Sequence, residues 1–295
     1  MLDFRLETFL CVCKHMNYTK AANELNLTQP AVSQHIKFLE EYYGTKLFFY
    51  NKKKLSLTLQ GEYLRNVFEV FYHDSLYVKE KVSNIHKNPT LKIGATLSIG
   101  EYYVPKRIAS FMKRNPDINL SVTVADTTVL VEQLDSGKID FAMVEGYFDK
   151  PDYTYRLIKT EKMVAVCAAD YEIKKVSGID ELFSERLIIR EKGSGTREIF
   201  ERYLHENGFN IKCFEHCCDF TSPHLILKML LSGLGISFMY RTVAEKYLNN
   251  GMLREIEIEN FNLMHEFNVI WKKNSLLNEY YKKVSEELIG AENFS

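Results

Sequence analysis

Thr19-Lys20-Ala21-Ala22-Asn23-Glu24-Leu25-Asn26-Leu27-Thr28-Gln29-Pro30-Ala31-Val32-Ser33-Gln34 holds two helix starts separated by a tight joint. Thr19 is placed to cap the first helix, in which Ala21, Ala22 and Leu25 form a small-residue face that lets another helix come close. Thr28 is placed to cap the second, and Pro30 is tolerated in its first turn, where the missing N–H would have no intrahelical partner. Val32, Ile36, Leu39 and Tyr43 then form an inward stripe, and Gly44 ends the helix. Upstream, Leu2, Leu6, Phe9, Leu10, Cys13 and Met16 mark one face of a helix over residues 2–16.

The second helix leaves Gln29, Pro30, Ser33, Gln34 and Lys37 outward: two amides, a hydroxyl, an ammonium and an apolar ring. Such groups read base edges and phosphates in a DNA major groove. A small helical bundle with a solvated face is the alternative. Residues 46–49 and 55–58 read as strands around a turn containing Lys52, Lys53 and Lys54, and this basic wing favours the DNA reading. Over the whole chain 38 basic and 39 acidic side chains nearly cancel, which argues against a nucleic-acid partner. The sum hides an asymmetry: residues 1–90 hold 12 basic and 9 acidic side chains, net +3, and the rest hold 26 and 30, net −4.

The run 19–25, then Thr28 to Gln34, Leu39-Glu40, Gly44, Leu47-Phe48, Leu57-Thr58 and Gly61 resembles the winged helix-turn-helix of LysR-type transcriptional regulators. The resemblance covers residues 1–62, and the order of later elements extends it along the chain. It implies that Gln29, Pro30, Ser33 and Gln34 face bases and that Lys52, Lys53, Lys54 and Thr58 lie near phosphates. Family members commonly carry an arginine soon after the Leu-Phe pair, where this chain has Phe49, Tyr50 and Asn51, and a basic residue at the position of Gln34. The operator sequence therefore stays open.

Residues 1–58 are thus expected to be the DNA-binding domain and residues 59–88 a linker and dimerisation helix. Leu64, Val67, Phe71, Val78, Val82 and Ile85 recur at helical and heptad intervals, and Thr58 can cap the start. A helix of that length spans about 40 Å, too long to bury its stripe on a domain of about 60 residues. A partner helix is expected, with packing on the chain's own body as the alternative; Asp74 and Lys81 interrupt the stripe. The resemblance adds that such dimers often pair into tetramers.

Residues 89–295 read as an α/β effector-binding domain. Beyond a hinge at Asn88-Pro89, strands over 91–95, 118–125 and 141–144 alternate with helices over about 100–115 and 127–137, which implies a parallel sheet. A second unit follows, with strands over 163–168, 187–190, 213–220 and 235–240 and helices over 196–207 and 222–231. A strand over 265–271 and a helix over 276–289 return to the first sheet. Two α/β subdomains result, about 91–162 plus 268–295 and about 163–267. This resembles the periplasmic-binding-protein-like effector domain of the same family.

Ligands bind such sheets beyond the strand ends, at helix N-termini. Thr96 and Ser98 mark one such start, and Gly193, Ser194, Gly195, Thr196 and Arg197 mark another, whose glycines allow close approach and whose arginine can clamp an oxyanion. Together they are expected to hold a small anionic effector across one cleft. Ordinary helix capping is the competing reading of each, and Arg197 can instead pair with Glu191 or Glu201. Thr127, Thr128, Glu145, Gly146, Thr221 and Ser222 lie at other strand ends and complete the candidate cleft, as equivalent segments do in the family.

No stretch reaches the roughly 20 apolar residues needed to span a bilayer, and no basic-then-apolar leader opens the sequence, so a cytoplasmic protein without membrane contact is expected. The six cysteines are too unevenly placed for a disulfide framework. Cys213, His216, Cys217 and Cys218, with His205 and His224, do not have paired C-x-x-C spacing, so neither a metal nor another cofactor is expected. The Gly193 loop lacks the Lys-Ser/Thr of a P-loop and the later glycine of a dinucleotide fingerprint, and nucleophile-elbow and HExxH motifs are missing. A ligand-switched DNA-binding regulator fits better than an enzyme.

Overall fold

A computed structural model describes residues 3–51, 54–83, 90–173 and 176–290. Its contacts divide it into two units: Met1–Lys87 with Asp135–Gly137 and Lys272–Asn278, and the remainder from Asn88 onward.

The first unit opens with α1 (Phe4–His15), α2 (Tyr18–Glu24) and α3 (Gln29–Tyr43). Asp3 caps α1, and Thr28 caps α3 by accepting from the Ala31 N–H, as its sequence position predicts. The cap of α2 differs from expectation: Asn17, not Thr19, accepts the Lys20 N–H, because an Asx side chain reaches that donor from one residue before the helix. Val32, Ile36 and Leu39 are buried against Phe9, Val12, Ala21 and Ala22, whereas Tyr43, expected inward, is 43% exposed. Gly44 adopts φ +68°, the left-handed conformation that ends a helix.

Strands β1 (Phe48–Asn51) and β2 (Lys54–Leu57) form the antiparallel hairpin, with Phe48 opposite Leu57. Lys52 and Lys53, which follow β1 in sequence, lie outside the described residues. Helix α4 (Leu59–Ser83) follows, capped by Thr58, whose hydroxyl accepts from the Gly61 N–H at 2.9 Å. Leu64 and Phe68 join the head's core, while Phe71, Val78 and Val82 are exposed. Asp74 is buried and accepts from the Ser275 hydroxyl and the Leu276 N–H. Ile85, expected on the same stripe, lies outside the described residues.

The second unit is built on β3 (Thr90–Ala95), β4 (Asn119–Val124), β5 (Phe141–Val144), β6 (Tyr153–Ala168), β7 (Arg186–Arg190), β8 (His216–Phe220), β9 (Ile236–Tyr240), β10 (Leu253–Glu255) and β11 (Met264–Lys272). Their lateral order is β4-β3-β5-β11-β6-β9-β7-β8, with β10 beside β6. Strands β4, β3 and β5 are parallel, as are β8, β7 and β9. Antiparallel β11 on β5 and antiparallel β6 on β9 return the chain between the two halves. The expected strand over 163–168 is thus the last part of β6, which begins ten residues earlier and makes the crossing unbroken.

Helices α5 (Pro105–Arg114), α6 (Thr127–Asp135), α7 (Gly195–Glu206), α8 (Pro223–Leu231), α9 (Arg241–Asn249) and α10 (Asn278–Ile289) flank the sheet. The single helix expected after Ser98 is broken into a π-helical turn, Ile99–Tyr103, and α5, because Pro105 cannot donate to the preceding turn. The core holds the fully buried run Phe141–Val144 and a Phe200–Phe238 stack with centroids 4.1 Å apart. Among the described residues no helix is long and apolar enough to cross a membrane.

Candidate DNA interface and effector cleft

In the head, Gln29, Pro30, Ser33, Gln34 and Lys37 are all exposed along the start and outer face of α3, so the predicted reading face exists as one surface. Lys37 is not free of partners; it lies 3.6 Å from Glu41 one turn on, a solvent-exposed pair of small energetic weight. A groove connects this face to the wing, lined by Asn17, Thr19, Gln29, Tyr50 and Lys54 among others. Asn17 and Tyr50 have no sequence signal of their own; they join the surface because α2 and the hairpin flank the start of α3. Thr58 departs from expectation, since its hydroxyl donates to the Lys46 carbonyl at 2.7 Å while capping α4, which leaves it no proton for a phosphate.

The wing is fixed to α3 by Glu40. Its carboxylate accepts from the Leu47 N–H at 3.0 Å, the Phe48 N–H at 3.5 Å and the Lys46 ammonium at 2.6 Å. These bonds tie the first wing strand to the recognition helix.

In the second unit, the predicted helix starts do meet. Ser98 Oγ and Thr196 Oγ1 are 3.4 Å apart and buried. A Cβ on Gly195 would lie 3.2 Å from Gly146 Cα, and one on Gly146 would lie 2.3 Å from Thr127 Oγ1, so the two faces approach this closely only because both residues are glycine. Thr96, Thr127 and Glu145 are buried here, and Thr96 Oγ1, Thr127 Oγ1 and Glu145 Oε2 have no hydrogen-bond partner among the described residues. Burial pushes the Glu145 carboxyl up to about 7, against the lowering influence of the Ser98 hydroxyl and the Arg190 guanidinium.

Several expectations are corrected. Thr128 is exposed, and its neighbour Thr127 supplies the buried hydroxyl, because the first turn of α6 directs only one of the two at Gly146. Arg197 is buried but engaged: it donates to Glu201 at 2.7 Å, Asp219 at 2.6 Å and the Arg190 carbonyl at 3.0 Å, so it braces α7 instead of offering a free clamp. Ser222 caps α8 through the Leu225 N–H, and Thr221 is exposed. Gly193 is exposed at φ +91° and makes the turn before Ser194, which is buried at the N-cap of α7. Arg190, unmarked by any motif in the sequence, is 5% exposed and binds Glu191 through two 2.8 Å hydrogen bonds.

Cys213, His216, Cys217 and Cys218 do not converge as metal ligands. Among the described residues the grouping with such donors in reach is Cys11, His15 and Glu24, where Lys14 already holds Glu24 at 2.8 Å.

Residues 4–62 match the family described as bacterial regulatory helix-turn-helix protein, lysR family, and residues 86–291 match the LysR substrate binding domain. The chain belongs to the LysR family of transcriptional regulators. This LysR-type regulator is 29% identical over 269 residues to the HTH-type transcriptional regulator CysL of Bacillus subtilis (strain 168), covering 90% of this chain and 89% of that one. Its fold is shared with a full-length OxyR variant from Pseudomonas aeruginosa at a TM-score of 0.61 and 18% identity, covering 98% of this chain and 94% of that one. The regulatory domain of Synechocystis PCC6803 CcmR, solved in complex with 2-PG, aligns with a TM-score of 0.61 and 19% identity over 69% of this chain and 97% of that one. The LysR-type regulator thus pairs a DNA-binding helix-turn-helix with an effector-binding domain.

Proposed function

We propose that this LysR-type regulator reads its operator with Gln29, Pro30, Ser33 and Gln34, touches phosphates through Lys37, Lys52, Lys53 and Lys54, and is switched by a small molecule with an anionic group bound between the two α/β subdomains. The observation that carries the effector reading is the buried meeting of Ser98 and Thr196 at 3.4 Å, beside unpartnered Thr96 and Thr127 hydroxyls. The starts of α6 and α7 add N–H groups and positive dipole ends, which favour an oxyanion even though Arg197 is engaged elsewhere. A small-molecule complex of the related CcmR fold supports a ligand in this class of domain. Binding replaces the direct hydroxyl contact with contacts to the effector and shifts the population between two arrangements of the subdomains.

The division proposed is residues 1–58 for DNA, 59–88 for the linker and 89–295 for the effector. The exposed Phe71, Val78 and Val82 on α4 support a homodimer through this helix, which places two recognition helices on successive half-sites; pairing of dimers gives a tetramer. The protein works in the cytoplasm and catalyses no reaction.

Calorimetry with phosphate, sulfate and small carboxylates tests the cleft: Ser98→Ala is expected to weaken whichever anion binds, and no effect on any of them overturns the reading. Mobility shifts on DNA upstream of its own gene test the head. Gln29→Ala is expected to relax sequence selectivity and Lys54→Ala to weaken all sequences alike; no selective shift by the parent protein overturns the DNA assignment.

A further inference from the structure

The effector cleft, on which this inference rests, has an uneven charge. Its two arginines are already neutralised: Arg190 by Glu191 through paired 2.8 Å bonds, with Asp126 at 3.6 Å, and Arg197 by Glu201 and Asp219. Glu145 has no such ion pair. It is 3% exposed, at the end of β5, and its Oε2 receives no hydrogen bond. The charged and titratable groups facing it are Arg190 on β7, Asp126 before α6, the buried Tyr240 on β9 and His265 on β11, which bonds the Glu145 backbone. None of these supplies the missing donor to Oε2.

A buried acceptor without a partner costs stability, and such groups persist where a ligand supplies the bond. The same cleft holds two unpartnered hydroxyls, Thr96 and Thr127, at more than nine-tenths burial, and the N-termini of α6 and α7. One side therefore accommodates negative charge and the other lacks a donor. We propose that the effector is bipolar: an oxyanion held by the hydroxyls and helix starts, and an ammonium group that donates to Glu145. A small amino acid, or an amine-bearing acid of similar size, has this chemistry.

An incoming ammonium stabilises the carboxylate over the carboxylic acid, so binding near neutral pH releases a proton. An effector without the amine, bound to a protonated Glu145 as an acceptor, takes one up instead. The two arrangements are opposite in sign.

The experiment is calorimetry on the full chain with the standard α-amino acids, their α-hydroxy and deaminated counterparts, and inorganic phosphate and sulfate, in two buffers of different ionisation enthalpy at pH 7. The expected result is binding of at least one amino acid with proton release, weakened at least about tenfold by Glu145→Gln, the loss of one charge-assisted hydrogen bond. Thr196→Ala, on the oxyanion side, weakens that amino acid and its deaminated counterpart alike. If deaminated acids bind as well as their amino acids, Glu145→Gln leaves them unchanged and Thr196→Ala weakens them, the bipolar proposal falls and the cleft stands. If neither variant changes any binding, the cleft reading falls too. No binding by any amine-bearing probe up to about 10 mM, on the affinity scale of weak metabolite sensing, also overturns the proposal.

Discussion

Glu40 has donors for both of its carboxylate oxygens, whereas Glu145, the more deeply buried, leaves one unanswered. Because burial raises the Glu145 carboxyl from 4.5 to about 7, the folded chain holds a proton there that the unfolded chain releases. Stability therefore falls as pH rises from about 4.5 to about 7 and is flat above, by an amount on the order of 3 kcal/mol for one fully buried group. Glu145→Gln is expected to remove that slope and to melt higher than the parent at pH 8, with little difference at pH 4.5; thermal melts at the two pH values check it. Glu40 accepts from the Leu47 and Phe48 N–H groups, so Glu40→Ala strands two backbone donors, at a cost of about 1–3 kcal/mol to the head. Mobility shifts are expected to show this loosened wing as a loss of DNA affinity with unchanged sequence preference. The hydroxyls at 96, 98 and 196 are legible in the sequence, because helix starts advertise themselves. Arg190 and the choice of Thr127 over Thr128 are not, because those depend on which strands become neighbours; for Arg197, Glu201 is legible as a partner one turn along the helix, whereas Asp219 is not.

At the scale of elements, α3 is readable almost to the residue, since Thr28, Pro30 and Gly44 each have a local physical role. The boundary after Ser98 is not: Pro105 splits a run whose apolar spacing continues through it. Strand β10 also escapes a reading by pattern, because three residues are too few to set a period. Helix α4 leaves Val78 and Val82 at 55% and 67% exposure, an apolar edge that the homodimer is proposed to cover. The double substitution Val78→Asp, Val82→Asp is expected to shift the protein toward monomer in sedimentation and to lower operator affinity more than about tenfold, while each head keeps its fold. An unchanged mass would remove α4 from the interface.

For the whole molecule, the near-zero net charge conceals a basic head and an acidic remainder, so attraction to DNA rests on few lysines. The logarithm of affinity is expected to fall with the logarithm of salt along a shallow line, and Lys54→Ala to reduce its slope by about one per head; filter binding across a salt series measures both. The family, the order of domains and the alternation of strands are legible from pattern because each rests on local spacing. The path by which the chain crosses between sheet halves is not, because nothing in residues 153–162 marks a strand of 16 residues rather than a loop and a short strand. That unbroken β6, with β11 beside it, has a mechanical meaning. A paired ribbon kinks at one residue less readily than a single strand, so the proposed shift between the two halves has to be taken up as twist spread along both crossings and not at one hinge residue.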